Sequence, residues 1–270
     1  FGAHPTAPSL VSLEGADVPL DEIIRKHPTA LLGAEIADRY GQLPFLFKVL
    51  SIDKPLSIQA HPDKALAAKL HQRDPEHYPD TNHKPEIAIA LSTVELLYGF
   101  RPQILVPSLL MEVPELTLLV DQPATLRGLY KQLMSANATQ IEKASQRLFA
   151  RLRKQEKRSA VEEWILLLAT LFPKGDVGLF SFFLLNHFTL REGEAIFTEP
   201  NVPHAYLSGE LLECMAASDN VVRGGLTDKY CDRETLVQML SYEGKNVVPL
   251  VPNQIEGGSE GWRFNAPADE

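Results

Sequence analysis

Between Arg101 and Gly175 the sequence abandons the texture that precedes and follows it. The stretch ATQIEKASQRLFARLRKQEKRSAVEEWILLLATLF, residues 138–172, reads as helix with little to interrupt it. Within it Ile141, Ala144, Leu148 and Leu152 fall on one stripe at helical spacing. Arg147, Arg151, Arg153, Lys154, Lys157 and Arg158 form a basic run there, which reads as a solvated helix face. The segments on either side carry short apolar runs, alternation of period two and Gly, Pro and Asn turns, the signals of strands. The block 101–175 is therefore expected to be a helical insert between strand-rich segments.

Residues 1–18 are rich in Pro, Gly and Ala and read as an irregular entry. PLDEIIRKHP (19–28) and ALLGAEIADRYG (30–41) predict two short helices, the second closed by Gly41. LPFLFKVLSI (43–52) is short and bounded by turn-formers, which predicts a buried strand, and EIAIALS (86–92) predicts another. HPDKALAAKLHQR (61–73) has helical composition. After Gly175, FSFFLLNHFTL (180–190) reads as strand and residues 191–225 have the texture of an antiparallel barrel. DRETLVQMLSYE (232–243) reads as one more helix, and the tail carries turn residues with little periodicity.

Composition narrows the function classes. The 270 residues, 44% hydrophobic and 23% charged, suit a soluble globular protein able to bury a sizeable core. A net charge of -9 argues against a nucleic-acid surface. Two cysteines, Cys214 and Cys231, fit a reducing, cytoplasmic compartment better than a disulfide framework. No stretch is long and apolar enough to predict a membrane helix, and no signal peptide is evident.

The chemistry begins at PLSIQAHPDK, residues 55–64. Alternation puts Leu56, Ile58 and Ala60 on one face and Ser57, Gln59 and His61 on the other. YPDTNHKPEIAIAL places His83, Lys84 and Glu86 at the start of a strand, with His83 read as a loop residue. EPNVPHAYLSG carries His204 from a proline-bounded turn into another strand. Together Gln59, His61, Glu86 and His204 suggest one divalent ion held from three strands; imidazoles and a carboxylate suit zinc. With a single negative ligand the ion keeps net positive charge and stays a Lewis acid toward an oxyanion.

Three blocks, LPFLFKVLSIDKPLSIQAHPDK, YPDTNHKPEIAIAL and EPNVPHAYLSGELLECMAASDNVVRGGLTDK, resemble the type I phosphomannose isomerases, and the likeness runs from GAHPTAPS to LVQMLSYE. The resemblance implies a mixed α and β fold, a cupin-like antiparallel barrel or jelly roll with an inserted helical domain. It divides the chain into residues 1–100 and 176–243 as two parts of the catalytic domain, 101–175 as the insert and 244–270 as the start of a further, truncated domain. It implies one zinc per chain on Gln59, His61, Glu86 and His204, and a monomer acting on a sugar phosphate in the supply of GDP-mannose. Arg223 falls on an active-site position, and Lys48, Ser57, Lys84, Glu213, Asp219 and Lys229 fall on positions lining the cleft. Two departures stand out: VRGGLTDK has Gly224 and Asp228 where the family usually has alanine and proline.

The reaction implied moves a proton between C2 and C1 of mannose 6-phosphate through a cis-enediolate to fructose 6-phosphate. Arg223 is expected at the developing oxyanion and Lys48, Lys229 and Ser57 at the phosphate. For the base, Glu213, Asp219, Lys84, a histidine and a metal-bound water stay open; Glu213 lies on an apolar strand where burial raises a carboxyl pKa. Two other readings compete: a cupin-type non-haem iron oxygenase, since two histidines and a carboxylate also bind iron, and a non-catalytic sugar-phosphate-binding module.

Overall fold

One strand organises the molecule. The structure is a computed structural model describing residues 1–244, 247–255 and 261–266. It opens with a hairpin, β1 (Leu10–Leu13) and β2 (Ala16–Pro19), then α1 (Leu20–Lys26), α2 (Pro28–Leu32) and α3 (Ala34–Tyr40). Next come β3 (Phe45–Ile52), β4 (Ile58–Ala60), α4 (Lys64–Arg73), β5 (Glu86–Ala90) and β6 (Val94–Phe100). The helices α5 (Val106–Glu112), α6 (Leu126–Met134), α7 (Ala138–Lys154), α8 (Ala160–Leu171) and α9 (Gly178–Ser181) follow. The sheet resumes with β7 (Leu185–Leu190), β8 (Ala195–Thr198), β9 (His204–Ala216) and β10 (Val222–Gly225), before α10 (Arg233–Met239), β11 (Asn253–Gln254) and β12 (Trp262–Arg263). β9, 13 residues long, pairs antiparallel with β3, β4, β5 and β6 in an eight-stranded sheet. It can serve two sets of partners because Gly209 turns its backbone at φ 104°, where a Cβ would lie 2.5 Å from the Thr93 carbonyl.

The sheet is a curled, cupin-like half-barrel. Its inner face holds an apolar cluster of Ala88, Leu96, Tyr98, Ile196, Tyr206 and Leu211 among others. Its outer face, with Ile58, Ala60, Leu97, Ala205 and Val222, packs against the helices in a larger continuous core. The helical segment departs from between paired strands: β6 and β7 pair from Val94↔Leu190 to Phe100↔Leu185, with a register shift between Tyr98 and Phe100, and residues 101–184 form the excursion. Closure entropy grows only logarithmically with loop length, so an excursion that extends the core is tolerated. Its contribution to that core includes Leu129, Leu133, Ile141, Leu148, Leu152, Ile165 and Leu168.

Several sequence expectations are corrected. The helix read through residues 138–172 is broken: Asn137 and Ser159 each make a capping box, so α7 and α8 begin independently. Between them the Arg158 guanidinium donates to the Leu152 and Gln155 carbonyls. The helix read over 30–41 breaks at Gly33, and the irregular entry contains the β1–β2 hairpin. Phe180–Leu190 is strand only from Leu185; Leu179, Phe180 and Phe182 are buried in a helical turn, and a short wholly apolar run does not distinguish buried helix from strand. β3 is only half buried, leaving Phe45 and Val49 exposed. In the tail, Leu250 makes an isolated antiparallel bridge to Ala195, while residues 245–246, 256–260 and 267–270 of the expected further domain lie outside the described residues.

Candidate metal centre

Strand register brings the polar residues to one place. Gln59 of β4 sits opposite His204 of β9 and Arg223 of β10, so these three share a face. Glu86 opens β5 opposite Met215, and Glu213, two residues back along β9, pairs with Lys48 of β3. His61 follows β4 directly, its ring centroid 5.1 Å from that of His204. The helix expected over 61–73 starts only at Lys64, capped by Asp63, which leaves His61 on the extended segment.

His61 and His204 are each 1% exposed and Glu86 2%, and one donor atom from each lies within 4.8 Å of the others. His61 Nδ1 stands 2.8 Å from the Asn220 carbonyl and His204 Nδ1 3.1 Å from the Val202 carbonyl. A carbonyl only accepts, so each Nδ1 carries the proton and each Nε2 turns a lone pair inward. The Nε2 atoms lie 3.4 Å (His61) and 3.7 Å (His204) from the Glu86 oxygens. His61 Nε2 and Glu86 Oε2 are buried without a hydrogen-bond partner. Gln59 Nε2 is 3.4 Å from His204 Nε2, and Gln59 Oε1 accepts from Ser57 Oγ at 3.1 Å. A hydroxyl donates or accepts, so turning the amide over presents its oxygen to the cluster and leaves Ser57 satisfied. Converging lone pairs, orphaned buried acceptors and neutral imidazoles fit a divalent cation.

Electrostatics agree. Burial alone favours the neutral acid at Glu86, but positive charge around it, on His61 and His204 when these are protonated and on Lys84, outweighs burial and holds the carboxyl well below its ordinary range. Burial, reinforced by neighbouring His61, lowers His204 to about 4. Glu213 is pushed up to about 7 by burial and by the Glu86 charge, against Lys84 and Lys48.

The other expected residues fall at different depths. Lys84 is buried with Nζ 3.5 Å from Glu86 Oε1. Lys48 is half-buried and its Nζ donates to Met215 Sδ. Arg223 is half-buried, while Lys229 is exposed on the loop after β10. Asp219 is exposed and its carboxylate meets His4 Nε2 at 2.8 Å, an N-terminal partner that spacing did not suggest. Gly224 is the extra residue of a bulge, because Arg223 pairs with Gln59 and Gly225 with Ile58. Sequence reasoning passed over Tyr206, buried two residues beyond His204 with its ring centroid 6.0 Å from the histidine's. Burial, with Glu86 and Glu213 nearby, raises its phenol well above its ordinary value. The period-two spacing from His204 was the signal that could have found it.

Comparison with known proteins decides the family. A family model described as "Phosphomannose isomerase type I, catalytic domain" matches residues 1–103, and one described as "Phosphomannose isomerase type I, helical insertion domain" matches residues 111–185. The chain belongs to the type I phosphomannose isomerase family. It is 39% identical to the mannose-6-phosphate isomerase of Ogataea parapolymorpha, over 100% of this chain and 70% of that protein. It is 46% identical to the human mannose-6-phosphate isomerase over 78% of this chain, spanning 55% of the human protein. Among solved structures, a variant of the Salmonella typhimurium phosphomannose isomerase superposes with TM-score 0.88 at 35% identity, covering 99% of this chain and 71% of that one. A zinc-bound mannose 6-phosphate isomerase does so with TM-score 0.86 at 36% identity and the same coverage. Type I family membership explains why a helical segment interrupts a paired pair of strands. Among the described residues, no helix is long and apolar enough to cross a membrane.

Proposed function

We propose that this chain interconverts mannose 6-phosphate and fructose 6-phosphate, with one zinc ion held by Gln59, His61, Glu86 and His204. The observation that carries the reading is the buried convergence of His61 Nε2, His204 Nε2 and Glu86, with both imidazole tautomers already set for a cation. Its support from outside the chain is the family and the zinc-bound structural neighbour. When bound, zinc supplies a positive charge that polarises sugar oxygens and makes the C2–H labile.

The remaining steps belong to the protein. Arg223, opposite Gln59 in register, brings a permanent charge and a planar fork to the enediolate oxygens. Lys84 adds a second buried positive charge beside Glu86. Lys48, Ser57 and Lys229 take the phosphate. Glu213, poised near neutrality, accepts the proton from one carbon and returns it to the next. Asp219, turned to His4, holds the rim rather than the proton. Two free cysteines fit a reducing, cytoplasmic setting, and a net charge of -9 fits a small metabolite rather than nucleic acid; the chain is proposed to act as a monomer. The oxygenase and binding-module alternatives are not favoured, because the matched family and relatives are isomerases.

A coupled assay on mannose 6-phosphate tests the proposal. Turnover that disappears with chelator and returns with zinc supports it. Stoichiometric zinc with no turnover favours the binding module, and iron with oxygen consumption the oxygenase.

A further inference from the structure

A carboxylate outside the ligand set ties the loops of the site together. Asp80 lies in the segment before β5 that carries Lys84 and leads to Glu86. Its Oδ1 accepts from Asn82 N at 2.8 Å, Ser218 Oγ at 2.9 Å and Asn220 Nδ2 at 3.0 Å, and its Oδ2 accepts from Asp219 N at 2.8 Å. Asn220 Nδ2 also donates to the Asp80 carbonyl at 2.8 Å and the Asn82 carbonyl at 2.9 Å. Asn220 is fully buried, and its own carbonyl accepts from His61 Nδ1 at 2.8 Å. The chain of contacts therefore runs from Asp80 through Asn220 to Nδ1 of His61, the ring nitrogen opposite the metal-facing Nε2.

We propose that Asp80 is a positioning residue for metal binding: it holds the 218–220 loop so that the Asn220 carbonyl selects the tautomer and aim of His61. The inference rests on the zinc reading above. Asn82 N and Asn220 Nδ2 at Oδ1 and Asp219 N at Oδ2 can only donate, so both carboxylate oxygens must accept, while the Ser218 hydroxyl can donate or accept. An asparagine there has the same shape but must point an NH2 at another donor in either orientation. Partners that fix a ligand histidine typically change metal affinity about 10–100-fold when altered.

The test uses the whole chain and zinc itself. Chelator competition measures the zinc dissociation constant of the parent, Asp80→Asn, Asn220→Ala and the double variant, and 15N spectra of the metal-free proteins report the tautomers of His61 and His204. Asp80→Asn is expected to weaken zinc binding about 10–100-fold. It is also expected to remove the Nδ1–H signature of His61 while leaving that of His204, whose Nδ1 bonds to Val202 instead. The double variant is expected to lose no more than the weaker-binding single variant, since both cut one link. Losses that multiply, parental zinc affinity in Asp80→Asn, or equal disturbance of both histidines would overturn the inference. Should Asp80→Asn not fold, Ser218→Ala removes one donor to the same oxygen and is expected to give the same His61 change at a few-fold loss of affinity. If the parent binds no zinc while His61 still follows Asp80, the zinc reading fails and the positioning role stands.

Discussion

At the residue scale the site depends on groups whose neighbours restrict them to one state. Replacing His204 with alanine is expected to abolish zinc binding and turnover together, since its Nε2 is one of three converging donors. Replacing Arg223 with alanine is expected to leave zinc stoichiometry intact and lower kcat about 10²–10³-fold, the usual cost of losing a charge-stabilising donor. Metal analysis beside steady-state kinetics separates the two, and an Arg223 variant with parental kcat would refute its role. Gly224 invites a different change. A Cβ there would lie 2.5 Å from Leu236 Cδ2, the end of a fully buried side chain. Gly224→Ala introduces that Cβ at the cost of moving the leucine. Overpacking costs about 1–3 kcal/mol and the gain from replacing a strand glycine is about 0.5–1 kcal/mol. The expected outcome is a net loss of roughly 1 kcal/mol by urea denaturation.

At the element scale the helical excursion stands on its caps and its stripe. Ser159 caps α8 reciprocally with Glu162 at the break that residue patterning missed. Ser159→Ala is expected to destabilise by about 1 kcal/mol. Leu148, fully buried in the insert, should cost about 2–5 kcal/mol on truncation to alanine, read by denaturation, without changing the zinc affinity of a fold that remains intact. The stripe Ile141, Ala144, Leu148 and Leu152 was readable in advance because helical periodicity is local, and all four are buried. The break at residues 155–159 was harder to see. No glycine or proline marks it, and what stops α7 is a guanidinium bonding back to its last carbonyls. The basic run is likewise not wholly solvated: Arg151 reaches the buried Glu115 at 2.8 Å.

At the scale of the whole molecule, pH links the site to stability. In the metal-free protein His204 is held at about 4, below the ordinary histidine value. The unfolded chain therefore binds the proton first, and its contribution is complete above about pH 6.5 and is lost as pH falls toward 4. Glu213 acts oppositely: its pKa of about 7 means that stability falls as pH rises from the ordinary carboxyl value through 7. Glu213→Gln is thus expected to make urea midpoints climb more steeply with pH between about 4.5 and 7 than in the parent. An unchanged slope would refute the assignment.

What the sequence determined alone was whatever depends on near neighbours: strands against helices, the inserted block, and the alternation that puts Ser57, Gln59 and His61 on one face. Long family motifs extended that reading to a candidate ligand set. Tertiary structure decided what depends on strand pairing across large separations. The β9 register sets His204 against Gln59 and Glu213 against Lys48, folding closes Asp80 onto Asn220, and Asp219 turns away to His4. Periodicity assigns a side chain to a face, whereas only the closed sheet fixes which faces meet and which buried atoms remain without a partner.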